Sequence, residues 1–415
     1  MPYGAHPIKI NLFRYFSSLK TPKLKPKLLK RLFVSASIRR WNDQACPLEF
    51  VELDKQAHKA MIMYLLAKDL EDRGEVIDFE KLIQYFCFEF FARIVLTDIK
   101  PPIFYELKKT HNKELAHYVA QNLNDEIKDY FSLETLQEYL SQTPNNLEAQ
   151  ILKSAHFYAS KWEFEIIYQF NPNMYGVKNI KDAIDKELRN NEHLFEGLFG
   201  EREDLKRIVS MFGQLRFQKR WSQTPRVPET SVLGHTLCVA IMGYLLSFDL
   251  NACKNMRINH FLGGLFHDLP EILTRDIITP IKRSVIGLDD CIKDIEKKEM
   301  QNKVYSLVSK SVQEDLKYFT ENEFSNRYKD TQNQIIVAKN AKDLFKSFNK
   351  DEYQGVCGEL LKVCDHLSAF LEAKISISHG ISSADLINGA QNILKLRSHT
   401  QLLGLDLGVL FRDFK

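Results

Sequence analysis

Apolar residues recur at three- and four-residue spacings over most of this chain, the spacing of helices that bury one face. The stretches His58–Leu70, His235–Leu246 and Glu359–Ala373 carry it most clearly. Glycine and proline, which interrupt helices, number only 17 and 13 among 415 residues. No train of alternating strands with hairpin turn pairs accompanies them. The pattern predicts an all-α protein.

The same order of features occurs twice. Arg40-Trp41 is followed by His58, a helical stretch closing on Tyr64-Leu65-Leu66-Ala67, the run Phe86–Phe91, Thr97-Asp98, Pro102, and later Lys153 and His156. Arg220-Trp221 is followed by His235, Tyr244-Leu245-Leu246-Ser247, Leu265–Asp268, Arg275-Asp276, Pro280, and later Lys362 and Asp365. Trp41 pairs with Trp221, His58 with His235, Asp98 with Asp276, Pro102 with Pro280 and Lys153 with Lys362. The separations stay near 180 up to the proline and widen beyond it. This reads as a duplicated helical domain rather than a short-period solenoid. Residues 1–30 form a leader, whose basic run Lys20, Lys23, Lys25, Lys27, Lys30 and Arg31 is a solvated face. Residues 31–190 form the first domain, 205–400 the second, and 401–415 a tail. The charged stretches near Lys297-Lys298 and at 321–334 hold the extra length of the second copy.

Composition alters this little. Apolar content is 44%, charged content 27% and net charge +3, which gives no reason to expect nucleic acid or an anionic membrane as partner. Seven scattered cysteines without a C-x-x-C pair read as reduced thiols of a cytoplasmic protein. No apolar run approaches the roughly 20 residues that span a bilayer.

Chemistry concentrates in the second half. His267-Asp268 follows an apolar run, with Glu271 and Asp276 shortly after. His235, His267, Asp268 and Asp365 together offer two imidazoles and two carboxylates, a set suited to one divalent transition metal (Mn, Co, Fe, Ni or Zn). A closed structural zinc site would use thiolates instead. Glu271 is placed to take a proton from water. Asp276 is a candidate to orient or protonate a leaving-group oxygen, or to hold a sugar hydroxyl. Arg220 offers a planar fork for phosphate and Trp221 a flat wall. Each has a plainer alternative when taken singly: a core histidine, an exposed aspartate, a helix cap. In the first half His267-Asp268 becomes Glu89-Phe90, Glu271 becomes Arg93 and Asp365 becomes His156, leaving His58 and Asp98. Phe90 cannot bind metal and Arg93 cannot act as a base, so the first copy is expected to be catalytically dead.

The H…HD…D order resembles the HD superfamily of metal-dependent phosphohydrolases. The run H-D-L-P-E-I-L-T-R-D-I-I-T-P-I-K resembles the bacterial 5'-deoxynucleotidases, which carry H-D-x-x-E-V-x-T-G-D-x-x-T-P-V-K and an upstream R-W pair. The resemblance implies two tandem HD-type domains, the first degenerate. It implies His235, His267, Asp268 and Asp365 as metal ligands and Glu271 as general base, with Asp276 near the scissile group. Arg220 and Lys282 would serve the substrate, and Trp221 would pack near C2'. The implied activity is removal of phosphate from (deoxy)nucleoside 5'-monophosphates. The alternatives are a deoxynucleoside triphosphohydrolase, a cyclic-nucleotide or alarmone hydrolase, or a non-catalytic nucleotide sensor. The partner is a small-molecule nucleotide, with neither nucleic acid nor membrane. Because the family forms homodimers, a monomer built as an intramolecular pseudo-dimer is expected. Two positions depart from the family: Gly234 stands where it has glutamate, and Arg275 where it has glycine.

Overall fold

A computed structural model describes residues 19–97, 99–190, 203–277 and 285–414. Asp98, Pro280 and Lys282 lie outside the described residues, as does the side chain of Pro102.

Helices dominate, as the spacing predicts. The N-terminal half runs α1 (Pro26–Val34), α2 (Glu52–Asp72), α3 (Phe79–Leu96), α4 (Pro101–Ile127), α5 (Leu133–Ser141), α6 (Leu147–Phe170) and α7 (Val177–Asn190). The C-terminal half runs α8 (Glu203–Gln214), α9 (Val232–Asp249), α10 (Lys254–Phe266), α11 (Glu271–Thr274), α12 (Leu288–Lys303), α13 (Lys310–Thr320), α14 (Ala341–Ser347), α15 (Gly358–Ser378), α16 (Ala384–Arg397) and α17 (Val409–Arg412). Strands among the described residues form three antiparallel pairs: Arg39–Arg40 with Phe50–Val51, Arg327–Lys329 with Ile335–Val337, and Gln401–Leu402 with Leu405–Asp406. Several helices start where a short polar side chain accepts a backbone N–H of the first turn, as Asp78, Asn146 and Ser231 do for α3, α6 and α9. Such a cap satisfies a donor that the helix itself leaves unpaired.

The centre of the molecule is the packing of α2 against α9. Every residue of α9 from Val232 to Ser247 is buried. Against the expectation that no apolar run has that length, this helix is by length and composition apolar enough to cross a membrane, yet 89% of it is buried inside the protein, which is what an all-round apolar helix does in a large core. Helix α10 lies closely on α9 because position 264 is glycine: a Cβ there would stand 2.6 Å from Cα of Ala240. Aromatic pairs join the halves, Tyr64 with Phe266 and Phe86 with Phe261, at centroid separations of 5.0 and 5.9 Å. Most buried apolar side chains of both halves belong to one continuous core, while Phe50, Trp162 and Ile167 form a small separate cluster.

The two chain ends differ from expectation. Part of the basic run is helix α1, which buries Leu28, Leu29, Leu32 and Phe33 and pairs Arg31 with Glu126 at 2.7 Å. The lysines had hidden the apolar stripe lying between them. The expected tail folds back: Leu402, Leu405, Leu407, Leu410 and Phe411 are buried, and Leu405 bridges to Lys20 near the start of the described chain.

Local geometry recurs at a fixed distance along the chain. Arg39 pairs with Val51, and Lys219 with Ser231. Trp41 and Trp221 both take positive φ, 58° and 57°. Each accepts the N–H three residues on, from Gln44 and Thr224. The backbone N–H of Glu52 reaches the Ile38 carbonyl as that of Val232 reaches Gln218. All these pairs stand 180 positions apart.

Candidate metal centre

Helix α9 supplies His235, the end of α10 supplies His267 and Asp268, and α15 supplies Asp365. His235 sits one turn into α9, whose start is set by the Ser231 cap. His235 Nε2 lies 3.2 Å from Asp365 Oδ1 and 3.8 Å from Asp268 Oδ2, and His267 Nε2 lies 3.3 Å from the same Asp268 oxygen. Among the described residues, His235, His267 and Asp268 form the one group whose donor atoms all lie close enough together to share an ion. Asp365 closes on that group through His235.

Both imidazoles are oriented by their other nitrogen. His267 Nδ1 donates to the Gly264 carbonyl at 2.8 Å, and His235 Nδ1 donates to Glu372 at 3.2 Å. In the neutral ring each Nε2 is therefore the lone-pair nitrogen, and both face the carboxylates. A ring N–H held by a carboxylate or carbonyl is how metal-ligating histidines are usually set. His267 Nε2 is buried without a hydrogen-bond partner. A buried lone pair facing two carboxylates and a second imidazole fits a divalent cation, so the residues present suit the group.

The charge distribution points the same way. Burial works against the Asp268 and Asp365 charges, yet both carboxyls are held below their ordinary range. For Asp268 the opposing groups are His267, His235 and Arg220; for Asp365 they are Lys362 and the same two histidines. Lys362 Nζ is 3.0 Å from Asp365 Oδ2. Burial and Arg220 lower His235, but hydrogen bonds to Asp365 and Glu372 prevail and raise it to about 9. Without metal, a proton is the cation these carboxylates hold.

Arg220 lies beside the cluster. Its Nη1 is 3.1 Å from Asp276 and 3.9 Å from Asp268, and its Nε is 3.9 Å from Glu372. Burial opposes the guanidinium charge, and Asp276, Glu372, Asp268 and Glu271 outweigh it. Glu271 is 6% exposed at the start of α11, its carbonyl held by the Gln218 side chain at 2.9 Å. The expected site residues within the described chain thus share one region.

Trp221 is placed differently from a free wall. Its indole N–H donates to Glu372 Oε2 at 2.9 Å, and its ring packs so closely on Gly389 of α16 that a Cβ there would lie 2.5 Å away. Glu372 joins it to His235. Glu372 is fully buried, and its pKa falls to about 2: burial opposes this, and His235, Arg220 and Arg226 outweigh it. Sequence reasoning missed Glu372. The available signal was its place seven residues after Asp365, two turns on along the same face of α15, matched by Glu163 seven after His156.

Glu163 repeats the arrangement in the N-terminal half, accepting from Trp41 Nε1 and Arg40 Nε, both at 2.8 Å. There the resemblance to a metal centre stops. At the fixed distance of 180, Lys55 stands where His235 does, so the pairing of His58 with His235 is corrected. One unbroken helix cannot absorb a three-residue slip between that position and Tyr64-Leu65-Leu66, which pairs with Tyr244-Leu245-Leu246 at 180. His58 instead bonds the Val209 carbonyl at 2.8 Å and stands edge-on to Trp162. Burial, with Arg216 adding to it, lowers its pKa to about 3. Lys55 Nζ lies 2.6 Å from His156 Nδ1, and Glu89 is bound by Lys59 and by the Tyr139 hydroxyl. His58, Glu89 and His156 therefore engage different partners and do not converge on one ion.

No curated protein and no solved structure matches the chain. One family model does, that of the HD domain, over residues 212–394. That interval holds His235, His267, Asp268, Asp365, Glu271, Arg220 and Glu372, so the candidate metal centre lies within the part of the chain that is similar to an HD domain.

Proposed function

We propose that the C-terminal half is a metal-dependent phosphomonoesterase acting on nucleoside 5'-monophosphates, with a preference for the deoxy sugar. The observation that carries the reading is the convergence of two oriented imidazoles and two carboxylates beside a half-buried arginine. His235, His267, Asp268 and Asp365 would hold a divalent cation, which would supply Lewis acidity toward water and a phosphoryl oxygen; Glu372 and the Gly264 carbonyl keep the two imidazoles in the binding tautomer. Glu271 accepts the proton of the attacking water. Arg220, already turned toward the carboxylates by Asp276, presents its remaining N–H groups to the phosphate. Asp276 serves the leaving oxygen.

The N-terminal half, in this reading, is a degenerate copy of the same domain, paired with the catalytic half as a pseudo-dimer within one chain. Support comes from the geometry that recurs at 180 positions, the Arg-Trp-Glu trio in both halves, and the amine of Lys55 in the place of a ligand. The test is a nucleotide panel assayed after chelation and metal add-back. Free phosphate from dAMP, dGMP or dTMP is expected. Tripolyphosphate from deoxynucleoside triphosphates, or no turnover with Mn or Co supplied, overturns the assignment.

A further inference from the structure

The N-termini of α2 and α9, one from each half, meet in the interior, and a single polar contact joins them. The Ser231 hydroxyl donates to Asp54 Oδ1 at 2.6 Å and accepts the Gly234 N–H at 3.0 Å. Asp54 is 2% exposed and Ser231 1%. Asp54 also bears on the residue before His235: a Cβ at position 234 would lie 2.9 Å from Asp54 Oδ1 and 2.9 Å from Leu53 Cδ2, so glycine there lets both side chains approach without shifting. The carboxylate rests against the first turn of α9, where the amide dipoles favour negative charge.

A symmetric pair would make this contact twice. At the separation of 180, Asp54 corresponds to Gly234 and Ser231 to Val51. The reverse contact, from α9 onto the start of α2, would thus join Gly234 to Val51, and Val51 caps α2 with no side-chain hydrogen bond. The interface is one-sided: the half without a ligand set supports the helix that carries His235. The neighbouring residue Lys55 turns into its own half, to His156.

We propose that Asp54 is a positioning residue for the metal centre of the other half, acting through Ser231 to fix the first turn of α9 and hence the Nε2 of His235. The inference rests on His235 being a ligand. It implies that the N-terminal half contributes to metal binding without supplying a ligand to this centre.

The experiment titrates Mn2+ into chelator-stripped full-length protein and records the unfolding temperature of the metal-free form. Asp54→Ala is expected to weaken Mn2+ binding about tenfold, the lower end of what loss of an outer-sphere partner does. Asp54→Asn, which keeps an acceptor for the Ser231 hydroxyl, recovers most of that loss. Ser231→Ala matches Asp54→Ala, and the double variant loses no more than either alone, as two members of one contact should. Arg216→Met serves as the control: it breaks another contact between the halves, the 2.8 Å pair with Glu163, and lowers the unfolding temperature while sparing Mn2+ affinity. Should Asp54→Ala fail to fold, Asp54→Asn and Ser231→Ala decide the matter. Affinity within twofold of the original in Asp54→Ala or Ser231→Ala, or an equal loss in Arg216→Met, overturns the proposal while leaving the metal centre standing. A wild-type chain that binds no Mn2+ removes the metal centre and this inference together.

Discussion

Replacing Glu372 with glutamine is the sharpest test of how the metal centre is held. The change is nearly isosteric, yet it replaces an acceptor with a donor at a site where two donors converge. His235 Nδ1 stands 3.2 Å from one carboxylate oxygen and Trp221 Nε1 2.9 Å from the other. If the glutamine carbonyl stays with His235, its amide confronts the indole N–H. If it turns to Trp221, the imidazole must move its proton to Nε2, which then cannot bind metal. The first arrangement leaves a buried donor without an acceptor, costing about 1–3 kcal/mol; the second pairs the new Nε2–H with Asp365 and gives up the lone pair that metal needs. Loss of the outer-sphere carboxylate should lower metal affinity about 10–100-fold, equivalent to roughly 1.4–2.8 kcal/mol. Glu163→Gln is the matched control, because Glu163 is as buried and binds Trp41, Arg40 and Arg216, each at 2.8 Å. Calorimetric titration of Mn2+ into stripped protein, with thermal unfolding alongside, separates the two variants. Both should lose stability, and Glu372→Gln alone should lose affinity. Unchanged affinity in Glu372→Gln, or an equal loss in Glu163→Gln, would refute the reasoning.

Other outcomes follow from the same geometry. Glu271→Gln should retain metal and lose turnover by at least about 100-fold, as for removal of a general base; parallel metal analysis and phosphate release check this. Metal analysis of the loaded protein should give one ion per chain, since Lys55 and Phe90 cannot replace His235 and Asp268; two ions would contradict the account of the N-terminal half. Gly264→Ala should destabilise the fold by about 1–3 kcal/mol through overpacking, because its Cβ would stand 2.6 Å from Ala240 backbone atoms; urea unfolding measures it. His260 supplies a pH dependence. Its Nε2 accepts the Cys357 N–H at 2.8 Å and its Nδ1 faces Ser247 Oγ at 2.6 Å, and burial, with Arg327 adding to it, lowers its pKa to about 3. Between about pH 6.5 and 3 the unfolded chain binds a proton there that the folded chain refuses. This contribution to stability is therefore complete above about 6.5 and lost as pH falls, amounting to about 2 kcal/mol at pH 5. Urea unfolding at pH 5 and 7 should show a smaller difference in His260→Gln than in the original chain.

The amino-acid order alone determined much of this protein. Apolar spacing was enough for an all-helical fold, because a helix with a buried face must repeat every three to four residues. The HD run with its flanking His235 and Asp365 was enough to name a candidate ligand set, because few residue types bind a divalent metal. Tertiary structure decided what those residues lean on. Glu372 belongs to no motif and is one glutamate among many until α15 packs it between His235 and Trp221, the latter 151 positions away. Lys55 rather than His58 occupies the position of His235, since helical phase and not residue identity sets which side chain faces inward. Asp54 was likewise silent in the sequence, because a partner across 177 positions is chosen by how two helices meet.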